Sequence, residues 1–350
     1  MKKVFVLIGL LIILAGNSHT VFCQKIGIAG FQKGSNFDKN TEKFLLVFDT
    51  KTLEIIKKIP IGVFPSKLTV VKDNEGKFEK IFVASQDDGI TVVNLRTEQL
   101  KTILEDEIIR DIESDKEGNV YALNFKNEVF IINSSNLKVK NKIKLVEGNI
   151  IQLVKPNKDD GVYIFRNDRE LTLRKTTALV QKINENGVVK TLAVYELGFN
   201  SLINSVFVKL STDDKNLYAL ASEELFRFSI NDKSIEQLNS GIFEQDGITE
   251  FGQNLSVDKK NIFIITAGGT LNVISQKEGN LETINNLRGT FVQSKTVVNG
   301  KNLFVNIYDE QTNNASLILI SIPNKQVIGM NNYENFETVS IGDIILLEDK

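Results

Sequence analysis

Two short acidic stretches carry the residues best suited to chemistry. SQDDG (85–89) contains Asp87 and Asp88, and YDEQTNNAS (308–316) contains Asp309 and Glu310, while Asp38 sits within FQKGSNFDKNTE (31–42). A basic stretch, RNDRELTLRKTTA (166–178), holds Arg166, Arg169, Arg174 and Lys175. Carboxylates interleaved with loop carbonyls suit calcium, and two carboxylates flanking a bond suit glycoside hydrolysis. Acids facing a cluster of cations could instead orient a dipolar ligand or dock a charged partner. The acidic spacing matches no known calcium loop, and paired acids before glycine are ordinary turn chemistry. These residues therefore require no cofactor, calcium being the one ion their oxygens would suit. Hydrophilic loops need no function to explain them, and the bland account is the favoured one.

Composition removes most other chemistry. His19 is the one histidine, Cys23 the one cysteine, and tryptophan is absent. All of 1–23 reads as a secretory signal peptide: Lys2 and Lys3, an apolar run over 4–15, then a polar stretch with cleavage expected after Cys23. The apolar run is too short for a membrane span. A lipid anchor on Cys23 is the alternative, disfavoured by bulky Phe22 just before it. The mature domain, 24–350, then lacks imidazole and thiol, which excludes serine and cysteine triads, His-ligated zinc and disulfides. Quinone-dependent dehydrogenases that present a tryptophan to the cofactor are disfavoured as well. Without Lys2 and Lys3 the chain has 40 basic against 44 acidic residues. No basic excess is available to neutralise phosphates, so nucleic acid is not an expected partner. A small molecule or an envelope protein is.

The elements that must position these residues repeat along the chain. LLVFDTKTLEIIKKIPIG (45–62) is an apolar strand, a polar turn and a second strand. The pattern returns in VVNLRTEQLKTI, IINSSNLKVKNKI, KINENGVVKTLAV, SINDKSIEQL, VISQKEGNLETI and SIPNKQVIGM. The turn residues are Asp49, Asn94, Asn133, Asn184, Asn231, Ser275 and Pro323, spaced by about 46 residues, in the range of propeller blades. Between these hairpins lie KIFV, NVYA, GVYI, NLYA, NIFI and NLFV, most of them preceded by a turn rich in Asp, Asn, Lys and Gly. Each unit is thus four short antiparallel strands. The fold class expected is all-β, a seven-bladed β-propeller. KIGIAGF after Gln24 aligns with second strands, and SIGDIILLEDK (340–350) aligns with the inner strand FPSKLTVVKDN. The C-terminal strand is therefore expected to complete the first blade and close the ring.

The stretch VFDTKTLEIIKKIPIGVFPSKLTVVKDNEGKFEKIFVAS resembles the YVTN-type bacterial β-propeller repeats. In those, a strand ending Asp-Thr leads to one ending Pro-x-Gly, with a proline before the next inner strand. Pro60, Gly62 and Pro65 fit that form but have no clear counterparts in later blades. The resemblance implies a propeller that is secreted, periplasmic or at the cell surface, with a binding role more often than a catalytic one. It identifies no catalytic residue. In a propeller, loops joining second to third strands share one face with the blade-to-blade connections. Ligand contacts are expected there from Asp38, Asp87, Asp88, Arg166, Arg169, Asp309 and Glu310. The function expected is a non-enzymatic binding or interaction module of the bacterial envelope. The alternative is a carboxylate- or metal-dependent hydrolase, lactonase-like or glycosidase-like, at the channel mouth.

Overall fold

The strongest requirement on this sequence is that nearly every second and third strand is apolar on both faces, so each must be sandwiched between neighbours. The computed structural model meets it with seven four-stranded antiparallel sheets. It describes residues 25–347, apart from 35–40, 74, 86–88, 147–149, 158–159, 171–173, 199–205, 222–223, 241–243, 246–247, 250–251, 285–290 and 338.

Blade 1 has β1 (Ile26–Lys33), β2 (Glu42–Asp49) and β3 (Ile55–Pro60). Blade 2 is β4 (Lys67–Lys72), β5 (Phe78–Ala84), β6 (Ile90–Asn94) and β7 (Leu100–Ile103). Blade 3 is β8 (Ile109–Ser114), β9 (Asn119–Asn124), β10 (Glu128–Asn133) and β11 (Val139–Lys144). Blade 4 is β12 (Ile150–Val154), β13 (Val162–Glu170), β14 (Lys175–Ile183) and β15 (Val189–Leu197). Blade 5 is β16 (Val206–Leu210), β17 (Asn216–Ala221), β18 (Glu224–Ser229) and β19 (Ser234–Ser240). A small hairpin, β20 (Glu244–Gln245) with β21 (Ile248–Thr249), precedes blade 6. That blade is β22 (Gly252–Val257), β23 (Asn261–Thr266), β24 (Leu271–Ser275) and β25 (Leu281–Ile284). Blade 7 is β26 (Phe291–Asn299), β27 (Asn302–Asp309), β28 (Asn314–Ser321) and β29 (Gln326–Asn335). The last strand, β30 (Val339–Leu347), returns to pair with β1 as the inner strand of blade 1.

Seven hydrophobic clusters fill the seven junctions between neighbouring blades, including the one from blade 7 back to blade 1. Strand alternation divides the side chains between them. Leu45 and Val47 of β2 pack toward blade 2, whereas Phe44, Leu46 and Phe48 of the same strand pack toward blade 7. Aromatic rings complete the junctions, with Phe31 and Phe44 centred 4.8 Å apart and Tyr195 and Phe228 4.9 Å apart. Pro60 lies on β3, an outer edge strand where its missing N–H costs no ladder bond.

The third-to-fourth-strand turns share a mechanism. Asp49 Oδ1 accepts from the N–H groups of Lys51 and Thr52 at 2.7 and 2.9 Å, and Asn94 and Asn133 do the same in their blades. Leu53, Glu98 and Leu137, each four residues on, then adopt positive φ. Blade 5 departs from the expected register: its strand ends on Ser229, which bonds Asp232, so Asn231 lies inside the turn and not at its start. Likewise Pro323 follows the strand end at Ser321. Serine can cap such a turn as Asx does, so these two turns begin two residues before Asn231 and Pro323.

Ring closure depends on two glycines. The β1–β30 register shifts between Ala29 and Phe31, where Gly30 and Gly342 face Pro65 of the blade 1–2 connection. A Cβ on Gly342 would sit 1.9 Å from the Pro65 carbonyl oxygen, and one on Gly30 would meet the Pro65 ring at 2.7 Å. Gly342→Ala should therefore force backbone apart at the seam, at a cost of about 1–3 kcal/mol. Equilibrium denaturation should show the midpoint lowered with an unchanged slope, and a parental midpoint would contradict this packing.

Candidate functional site

Each blade turns the free edge of its inner strand toward the axis, leaving backbone N–H groups there without ladder partners. Side chains from the adjoining blade bind several of them. Asp343 Oδ2 accepts from Leu68 N at 3.4 Å, and Asp111 Oδ2 from Leu153 N at 2.8 Å. Asn254 Oδ1 accepts from Thr296 N at 3.3 Å, and Gln293 Oε1 from Ile341 N at 2.8 Å. Hydroxyl pairs bridge inner strands in the same way, Thr69 with Ser114 at 2.8 Å and Ser256 with Thr296 at 2.6 Å. The channel wall is therefore stitched by polar side chains that sequence periodicity marks only as positions in a strand.

At the level of Lys67 the channel divides into two cavities. The larger, about 440 Å³, opens where inner strands end and is lined by Lys67, Glu113, Lys155, Lys209 and Asp343 among others. The smaller, about 360 Å³, opens where inner strands begin, on the face shared by the second-to-third-strand loops and the blade connections. Lys67 lines both, with its ammonium 3.8 Å from buried Asp111. Burial would pull the Lys67 pKa down, but Asp111, Asp343 and Glu113 overcome it and hold the value above the ordinary lysine range. Burial pushes the Asp111 carboxyl up, and Lys67 with two backbone N–H groups pulls it back part-way. Lys155 Nζ donates to Ser114 Oγ at 2.9 Å at the end of the larger cavity.

Glu113 is a second perturbed carboxyl of this set. Burial raises its pKa to about 7, against the opposing pull of Lys67, Lys209 and Lys155. Its folded-state value lies above the ordinary 4.5, so on raising the pH the unfolded chain releases the proton first. The folded state is unpenalised below about pH 4.5, loses stability as pH climbs to about 7, and loses no more from this group beyond that. Glu113→Gln, fixed in the neutral form, should unfold a few degrees above the parent at pH 8 and together with it near pH 4.5. Thermal melts at the two pH values test this, and a constant difference between the proteins would contradict it.

Of the residues expected from sequence to contact a ligand, four lie among the described residues. Asp38, Asp87 and Asp88 lie outside the described residues. Arg166 and Arg169 are in β13, not in a loop: the β13–β14 hairpin continues in register to Glu170↔Lys175. Polar residues there alternate as strand residues do, but the density of charge hid the period. Arg166 pairs with Asp168, its Nε 2.8 Å from Oδ1. Asp309 ends β27 and accepts from Gln311 N and Thr312 Oγ1 at 3.0 and 2.9 Å, a turn-capping role, and Glu310 is exposed in that turn. Neither Arg166 nor Asp309 lines either cavity. Among the described residues no three Asp, Glu, His or Cys side chains come together as a metal site would need. The channel residues Lys67, Asp111, Glu113, Lys155, Lys209, Lys295 and Asp343 were missed. Charged residues at inner-strand positions, as in KLTVVK and IRDIES, were the available signal.

Fold and channel together define a seven-bladed β-propeller with an ionic axis. No family model and no curated protein matches the chain. Among solved structures, it is similar to a crystal structure of a protein from Lactobacillus plantarum, with a TM-score of 0.62 over 93% of this chain and 100% of the other, at 12% identity. At that identity the likeness shows the shared fold.

Proposed function

We propose that this chain is an exported, non-enzymatic propeller of the bacterial envelope, related to the YVTN-type repeats, that binds a small polar ligand in its channel. The observation that carries the reading is the larger cavity: about 440 Å³ with Lys67, Lys155, Lys209, Glu113 and Asp343 on its wall. A pocket of this size with convergent charges on rigid strands is suited to hold a small molecule. The reading of residues 1–23 as a signal peptide supports export, and the YVTN-like form of residues 45–85 supports a binding role. Thermal unfolding of the purified protein against a metabolite panel, with and without calcium, tests it. A ligand present well above its Kd should raise the midpoint by several degrees, and Lys155→Gln or Lys209→Gln should abolish the rise. A panel with no effect would turn the search to a macromolecular partner.

A second reading is favoured by Glu113. A carboxyl with pKa about 7 beside a cavity that also holds Asp343 is placed as a general acid would be. A lactonase- or glycosidase-like hydrolase would turn over aryl glycosides or lactones and lose that turnover in Glu113→Gln.

A further inference from the structure

The smaller cavity differs in kind from the larger. Its described lining includes three cations, Lys67, Arg110 and Lys295, and no carboxylate. The described residues give Lys295 no ion-pair partner within 4 Å; its ammonium lies 5.9 Å from the centre of the Phe207 ring. Arg110 donates from one terminal nitrogen to Asn127 Oδ1 at 3.0 Å, while its Nε finds no acceptor among the described residues. Ser294, 2% exposed, has an Oγ without a partner among the described residues and lines the same cavity. Burial holds the pKa of Arg110 below its ordinary value, against the opposing pull of Asp111. Burial does the same to Lys295, reinforced by repulsion from Lys67 and Lys209 and opposed by Asp343 behind the wall. Positive charge is thus gathered here in a protein of net negative charge, and donors are buried without acceptors. Both features cost stability in the free protein, and an anion would offset both.

The remaining wall is mixed, with Ser66, Gln293 and Ser340 beside an apolar part. Phe64, Phe207 and Ile341 line the cavity, and Phe125, 55% exposed, stands beside the Arg110 guanidinium at 5.9 Å. An inorganic ion would leave these rings unused. A flat apolar body would cover them while its charged head met the cations.

We propose that this mouth is a binding site for a small organic anion, its carboxylate or phosphate held by Lys67, Arg110, Lys295 and Ser294 and its apolar body against Phe64 and Phe207. The site lies across the Lys67 waist from the larger cavity and stands whether or not that cavity binds a ligand. Calorimetric titration of the purified protein with benzoate, phenyl phosphate, inorganic phosphate and benzamidinium tests it. Benzoate or phenyl phosphate should bind, more weakly as salt rises, and benzamidinium, the cationic isostere of benzoate, should not. Arg110→Gln and Lys295→Gln should each weaken binding by about tenfold or more. Lys155→Gln, in the other cavity, should leave it unchanged. Lys295→Arg, which keeps the charge, should retain binding and guards against a folding defect in the glutamine variant. Phe207→Ala should weaken phenyl phosphate and not inorganic phosphate. Absence of binding by both organic anions would overturn the proposal, as would equal binding of benzamidinium or indifference to both glutamine variants. Equal affinity for inorganic and phenyl phosphate would overturn the apolar half of the site.

Discussion

A chain lacking residues 340–350 is expected to lose the native fold, not merely to fray at one end. That segment contains all of β30 but its first residue, and β30 pairs with β1 from Ile26↔Leu347 to Lys33↔Val339. Removing it exposes the channel-side edge of β1 and takes Ile341, Ile344 and Leu347 out of two blade junctions. At about 1.5–3 kcal/mol for each buried aliphatic side chain, those three account for roughly 5–9 kcal/mol before any hydrogen bond is counted. That is comparable to the whole stability of a typical domain, about 5–15 kcal/mol. The truncated protein should show no cooperative melt by circular dichroism and should aggregate through its open strand edge. A cooperative transition within a few degrees of the parent would show that blade 1 stands without its inner strand. Adding a peptide of residues 339–350 in trans should restore part of the transition, because β30 reaches its place through non-covalent pairing.

The second large effect is expected at the channel waist. Asp111→Ala should destabilise the protein by about 1–3 kcal/mol, because it leaves a buried N–H without its acceptor and takes the counter-charge from Lys67, itself 34% exposed. The carboxylate faces Lys67 at 3.8 Å and also accepts from the N–H groups of Leu153 and Ile112 at 2.8 and 3.0 Å. Alanine removes all three interactions and orphans an edge N–H of blade 4. Asp111→Asn keeps an acceptor for Leu153 and loses only the charge, so its loss should be smaller. Replacing Asp111 and Lys67 together by apolar residues of similar size should cost less than the two single changes added, because no buried charge is then left alone. Chemical denaturation of the four proteins measures this. Strict additivity would mean that the two groups do not sense each other across the channel.

The architecture was legible in the chain because the blade repeat is local. Each hairpin contains its own strand lengths, its Asx or Ser turn and its polar punctuation, so hydrogen bonds between neighbouring strands can be anticipated within about 40 residues of chain. Even the long-range closure of β30 onto β1 was legible, because SIGDIILLEDK reads as an inner strand with no blade of its own. The limits of strands at the second-to-third turns were less legible. In β13 and β14 charged residues continue the ladder past the apolar run, since an exposed strand needs hydrogen bonds but no apolar side chain.

Where charge converges is set by the closed ring and not by any one strand. Lys67, Asp111, Lys155, Lys209, Lys295 and Asp343 belong to or adjoin the inner strands of six different blades, and they meet only because the ring closes around an axis. Alternation along a strand shows which side chains share a face of the sheet, but it carries no sign of which ones reach the channel. That depends on sheet twist and on the angle between blades, which the packing of all seven junctions sets together. The acidic loops drew attention by their composition; the residues that face the channel are dispersed through the chain and look, one strand at a time, like ordinary polar positions.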